Sequence, residues 1–305
     1  MCTAVNTVFA ENNNRGDTVN IKIDGSKANT SENFLYRGQA MISCNGSSRL
    51  LLDYKEKNSE SYNKILEHLY GKNGLKFTHF KVEMGADVNT SSGTEPATMR
   101  YEDEKADVTR GAGFQLAADI KKINPDVTLD MLWWSEPKWV SDSSDVYAAR
   151  YKWYKQTLDA AYETYGLVFD YVSANQNERA VDTDWIKYLS KALKSEKDCP
   201  YDYSKIKIVA ADEITSWSIS RSMLSDDELC DAVDVIGTHY TSHSDDNTKK
   251  LAEEKGKEIW FSEGSSPMNY AQSAYRFDEG NSGLTGLNGV LDIANRMITM
   301  VSGGY

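Results

Sequence analysis

FDYVSANQNERA, residues 169–180, is the stretch whose reading decides the fold. A short apolar run built on Phe169, Tyr171 and Val172 stops abruptly at the polar cluster Asn175, Gln176, Asn177, Glu178 and Arg179. A run of that length, ending in that way, reads as a buried strand of a parallel sheet delivering a carboxylate to a solvent-facing rim. Runs of the same kind stand at 40–43, 77–82, 127–134, 206–211, 232–237 and 258–262, the last leading into Glu263. Helical patterns lie between them. One presents Tyr62, Ile65, Leu66 and Leu69 on a single face, and others cover 112–123, 145–165, 184–194, 219–224 and 248–254. Pro125 and Gly166 end two of these in the expected way. Residues 44–46, Cys-Asn-Gly, read as a turn, with an apolar piece at 50–52 behind it.

Strand and helix alternating in units of this length imply an α/β protein with a parallel sheet, and the number of units points to a TIM (β/α)8 barrel. A doubly wound sheet alternates in the same way but usually carries an early glycine-rich phosphate loop, and this sequence has none. The strand count is one short of eight, and after the last helical pattern, 287–301, the sequence ends at Gly303, Gly304 and Tyr305. The expectation is therefore a barrel domain over 37–305 that is incomplete at its C-terminal side, truncated before or at strand eight. Residues 16–36, with Val19, Ile21 and Ile23 alternating, read as an edge strand and linker. Residues 1–15 contain Val8-Phe9-Ala10, similar to a signal-cleavage site, and read as the remnant of a secretory signal or as an unstructured arm. A secreted or extracellular location is the corresponding expectation.

The net charge of −12 comes without a basic block anywhere in the chain. Nucleic acid and anionic membrane surfaces reward clustered Lys and Arg, so neither is an expected partner. No run is long and apolar enough for a transmembrane span. The four cysteines, Cys2, Cys44, Cys199 and Cys230, fall in no metal-ligand or redox spacing, and no metal or other cofactor is expected. Ser43, Ser262 and Ser265 have no evident His/Asp partners, which leaves a serine-hydrolase triad unsupported.

Catalytic groups of such barrels sit at the C-terminal ends of the strands. Those ends carry Glu83 and Asp87, Trp134 and Glu136, Asn177 and Glu178, Asp212 and Glu213, His239 and Tyr240, and Glu263. A strand-end Glu more often pairs with an arginine or caps a helix, and Glu83, Glu136 and Glu213 read equally well that way. His239 reads equally as a core hydrogen-bonding group, and Trp134 as packing. Glu178 and Glu263 stand apart because strands four and seven lie nearly opposite in the ring. Glycosidic cleavage needs two facing carboxylates, one to protonate the leaving oxygen and one to attack the anomeric carbon or activate water.

Five pieces in order, HFKVEMGADVNTSSGTEPATMRY (79–101), WSEPKW (134–139), NER (177–179), DVIGTHY (234–240) and EIWFSEGSS (258–266), carry a family resemblance. From about residue 37 to 301 the chain resembles glycoside hydrolase family 59, the galactocerebrosidase type of β-galactosidase, within the clan of (β/α)8 retaining glycosidases. The resemblance implies a retaining β-glycosidase acting on terminal β-galactosides, with Glu178 as general acid/base and Glu263 as nucleophile. It implies Asn177 as the contact to the hydroxyl beside the anomeric carbon and Trp134 as a sugar contact. Ser91 aligns with a galactose-binding threonine, and His239 and Tyr240 complete the expected substrate set. The expected resting state has Glu178 protonated and Glu263 ionised. Family members continue into a β-sandwich, so a C-terminal sandwich is expected in the full-length protein. At Gln176 the family usually has Trp. Gln-Asn-Glu is closer to family 30, which keeps a glycosidase for another β-linked sugar, or an inactive sugar-binding fragment, as alternatives.

Overall fold

The computed structural model describes Asp24, Ser26 and residues 36–90, 93–241 and 243–264, the side chains of 45–47 excepted. The chain divides after Leu35 into two compact units, and apart from Asp24 and Ser26 the described residues belong to the second. The edge strand expected at 19–23, the signal-like arm, Ser91 and the helix expected at 287–301 lie outside the described residues.

Seven strands form one sheet: β1 (Ala40–Ser43), β2 (His79–Glu83), β3 (Thr128–Leu132), β4 (Tyr171–Ser173), β5 (Lys207–Ile214), β6 (Val235–His239) and β7 (Glu258–Glu263). Each pairs in parallel with the next, and spatial order follows chain order throughout. A doubly wound sheet would reverse order at a switch point; this one winds in a single direction, as a barrel does. Curvature brings strands that are not neighbours together inside. The Trp260 ring on β7 lies 5.0 Å from His79 on β2 and 4.8 Å from Tyr171 on β4. The seven strands and their intervening helices give the parallel half-closed sheet of a (β/α)8 barrel.

Helices α1 (Asn45–Lys57), α2 (Ser59–Tyr70), α3 (Gly113–Ile123), α4 (Val146–Tyr165), α5 (Thr183–Ser195), α6 (Ser218–Ser225), α7 (Asp227–Ala232) and α8 (Asp246–Lys255) surround the sheet. The turn expected at 44–46 is instead the beginning of α1. Its Cys44 N-cap makes no side-chain capping bond, so the usual start signal is missing. The Asn and Ser residues there resemble turn chemistry for the same reason they suit helix starts. Elsewhere the signals are plain: Asp145, Asp182, Asp226 and Asp245 each cap a first turn with a carboxylate.

The packing of α4 and α5 fixes the end of β4. Trp153, Tyr154, Trp185 and Leu189 are fully buried. Rather than strand their polar atoms, the rings hold the chain that leaves the sheet. The Tyr154 hydroxyl donates to Ser173 O at 2.6 Å, and Trp185 Nε1 donates to Ala174 O at 2.7 Å. Arg150 lies across the Trp133 and Trp185 rings and donates through Nε to Glu136 at 2.7 Å. Glu136 is thus an arginine partner, the bland alternative for that strand end. Glu213 likewise accepts from Ser218 Oγ and Ile219 N and anchors the start of α6.

Candidate active site

Among the strand-end residues, Glu178 (φ 62°), Asp212 (φ 52°) and Tyr240 (φ 53°) take left-handed backbone, as does Asp87 (φ 58°). For residues with a Cβ this conformation costs about 1–2 kcal/mol each and persists only where the surroundings fix it. Here the fixing groups are backbone bonds to neighbouring strand ends. Glu178 N donates to Asp212 O at 3.1 Å, and Tyr240 N donates to Glu263 O at 3.1 Å. Asn177 N is tied to Trp133 O at 2.9 Å, and Gln176 Nε2 donates to Trp134 O at 2.7 Å. The ends of β3 to β7 are stitched into one rim, and each stitch turns a side chain inward.

The side chains so turned meet. One carboxylate oxygen from Glu178, one from Glu263 and a His239 ring nitrogen all lie within 4.8 Å of one another. His239 Nδ1 is 3.1 Å from Glu178 Oε1 and 3.8 Å from Glu263 Oε2. Its Nε2 faces Asp212 Oδ1 at 3.4 Å. The Tyr240 hydroxyl donates to Glu263 Oε1 at 2.6 Å, and Asn177 Nδ2 reaches Glu263 Oε2 at 3.5 Å. Asn177 Oδ1 has no hydrogen-bond partner among the described residues.

The structure therefore brings together Glu178, Glu263, Asn177, His239 and Tyr240, with Trp134 beside them as the acceptor of Gln176. His239 does not suit the substrate contact expected of it, because it is fully buried and turns both nitrogens to carboxylates. Its role in this site is to hold protein groups.

The electrostatics differ from expectation in one respect. Burial alone would push His239 down, but the Asp212 carboxylate facing Nε2 at 3.4 Å, the hydrogen bond to Glu178 and the nearby Glu263 charge raise it to about 9. The resulting imidazolium donates to Glu178 and holds that carboxyl below its usual range. The two shifts are opposite in direction, favouring the proton on His239 over Glu178.

Beneath the rim is an ion cluster that sequence reasoning missed. Lys81 Nζ lies 3.0 Å from Asp212 Oδ2 and 3.7 Å from Asp130 Oδ2, with all three residues buried. Burial opposes charge on Asp212, but Lys81 and His239 outweigh it and hold the carboxyl well below the usual range. The available signal was an ionisable residue amid apolar ones in a buried strand, as in HFKVE and TLDML.

The architecture is that of a (β/α)8 barrel. SrfJ from Salmonella typhimurium superimposes with a TM-score of 0.66 at 16% identity, over 88% of this chain and 62% of that one. The endo-beta1,6-glucanase BT3312 gives 0.54 at 16% identity, over 73% and 55%. At such identities the likeness concerns the fold. Sequence supplies the family: the model of glycosyl hydrolase family 59 matches residues 37–284, and the chain belongs to that family. Its relatives include galactocerebrosidases from Macaca mulatta, 36% identical over 242 residues, and from Danio rerio, 35% identical over 233. These matches cover 77% and 73% of this chain and 33% and 32% of the relatives. The chain spans about a third of their length.

Proposed function

We propose that this chain carries the catalytic centre of a retaining β-glycosidase whose preferred sugar is β-galactose. The observation that carries the reading is the approach of the Glu178 and Glu263 oxygens to within 4.8 Å. Retaining enzymes hold their carboxyl groups about 5–5.5 Å apart, whereas inverting ones leave about 6.5–9.5 Å for a water. Glu263, held by Tyr240 and Asn177, is the nucleophile, and Glu178, reached by a titratable group, is the acid/base. Attack of Glu263 on the anomeric carbon forms a glycosyl-enzyme as Glu178 passes a proton to the departing oxygen. Glu178 then takes a proton from the incoming water, which releases the sugar with its configuration retained. Asn177 Oδ1 is the acceptor for a sugar hydroxyl beside the anomeric carbon. Trp134 supplies an apolar sugar-facing surface, and Ser91 is proposed as a further hydroxyl contact.

The galactocerebrosidase relatives support galactose as the sugar and a lipid-linked galactoside as one substrate class. A C-terminal β-sandwich completing the substrate site, and secretion, are further parts of the proposal. Hydrolysis of nitrophenyl β-galactoside against β-glucoside, with the anomer of the first product followed by NMR, tests the reading. Preferential release of β-galactose is expected. An α-anomer as first product overturns retention, and faster glucoside cleavage favours the second reading, a family-30-like specificity. Gln176 is the observation behind that alternative, since it replaces the family's usual Trp and ties the acid/base segment to Trp134 O.

A further inference from the structure

The buried cluster under the rim is larger than a carboxylate pair needs. His239 is faced by Glu178 from the segment after β4, by Asp212 from β5 and by Glu263 from β7, with the Tyr240 ring 5.5 Å away on its own strand. Behind Asp212 stands Lys81 of β2, and behind Lys81 stands Asp130 of β3, itself 4.0 Å from His79 Nε2. The line Lys81–Asp212–His239–Glu178 runs from the barrel interior to the catalytic rim, and its first three residues are buried from substrate.

Resting on the acid/base assignment of Glu178, we propose that Lys81 and Asp212 are positioning residues that orient His239 with Nδ1–H toward Glu178, and that this line stores and recovers the proton Glu178 exchanges during turnover. Protons and charge balance in each half-reaction. As the bond from the anomeric carbon to the leaving oxygen breaks and the bond to Glu263 forms, the His239 Nδ1 proton passes through Glu178 to the leaving oxygen, and Glu178 ends as it began, ionised. His239 is then neutral, and the lost Glu263 charge no longer favours its protonation. Water attack returns a proton through Glu178 to His239 and restores the Glu263 carboxylate.

Geometry distinguishes this role from simple packing. A structural buried ion pair needs no exit to the rim, and an imidazole kept only for shape needs no carboxylate on both nitrogens. Asp212 sits at the register shift of β5, where the irregularity leaves it unpaired with β6 and turns it inward to both Lys81 and His239.

The test uses the whole chain with Asp212→Asn and Lys81→Met. If the line supplies the proton, cleavage of a methyl β-galactoside, whose leaving group must be protonated, falls about tenfold or more beyond any fall on a dinitrophenyl β-galactoside. The alkaline limb of kcat/KM moves to lower pH by about one unit in Asp212→Asn. Equal losses on both substrates with an unmoved limb overturn the proposal. Nitrogen-15 NMR of His239, one of 4 histidines in the chain, supplies an arm independent of turnover. The wild-type ring is expected to stay protonated well above the ordinary range, and to lose that in Asp212→Asn if the variant folds. A wild-type ring titrating near 6.5 overturns the relay even where no variant folds. A wild-type chain that cleaves neither galactoside yet shows the raised titration defeats the acid/base assignment and with it the turnover role, leaving only the proton-holding geometry. That outcome is distinct from an active chain with an ordinary histidine.

Discussion

Glu178 and Glu263 are the same residue type at the ends of two strands of one sheet, yet their surroundings differ in kind. The wall behind Glu178 titrates: His239, then Asp212, then Lys81. Nearest to Glu263 are a phenol and an amide, Tyr240 and Asn177, with His239 Nδ1 farther off at 3.8 Å, and burial together with the Glu263 charge pushes the phenol, which also reaches Glu178, far above its ordinary range. In the proposed relay one carboxylate is coupled to a proton that moves, while the other is held mainly by donors that keep theirs. A two-step displacement needs that asymmetry, because only one of its two carboxyl groups has to change protonation state.

Substitutions at the two carboxylates should separate them most. Glu263→Gln is expected to lower galactoside turnover on the order of 10^4-fold for every leaving group, as loss of a nucleophile does. Glu178→Gln should cost about 10^2–10^4-fold with poor leaving groups and far less with dinitrophenol, with a glycosyl-enzyme accumulating that mass spectrometry detects. Equal leaving-group dependence in the two variants would break the comparison.

The titrating wall should also appear in stability. His239 binds its proton more tightly in the folded chain, at about 9, than in the unfolded chain, at about 6.5. Its contribution is complete below about pH 6.5 and is lost as pH rises through about 9, on the order of 3 kcal/mol. Urea midpoints at pH 6 and 9.5 should fall accordingly. Asp212 works in the opposite direction: its depressed carboxyl stabilises above about pH 3.9 and loses this as pH drops further.

On the quiet wall, Tyr240→Phe removes one charge-assisted bond and should reduce kcat by roughly 2 kcal/mol of barrier while leaving the alkaline limb in place. A moved limb would show that the two walls are coupled. Gln176→Ala, which frees the segment carrying Glu178 from Trp134 O, should have the smallest effect, about 1 kcal/mol in kcat/KM.

All seven strands could be read from the sequence because a strand buried on both faces leaves a continuous apolar run, and 169–173 and 258–262 are plain examples. Glu178 and Glu263 were legible because polar clusters end those runs. The beginning of α1 was not, since its Cys44 cap leaves no side-chain mark and its Asn and Ser residues suit a turn equally well. Lys81 and Asp130 were missed because apolar neighbours mask one charge in a strand, and nothing in linear spacing tells which strand supplies the opposite charge. His239 was legible as a site residue but not in its orientation: strand-end position marks the rim, whereas facing inward between Asp212 and Glu178 depends on the turn of three neighbouring strand ends.

The backbone stitching of the rim carries a consequence of its own. Glu178 and Glu263 stand 85 residues apart in the chain and meet only through the pairings of β4 with β5, β5 with β6 and β6 with β7. A slip of one residue in any of these turns a carboxylate to the opposite face. A chain with native helix content but a misregistered sheet would look folded to circular dichroism and yet cleave nothing, so that recovery of turnover after dilution from denaturant times the last correct strand pairing rather than collapse.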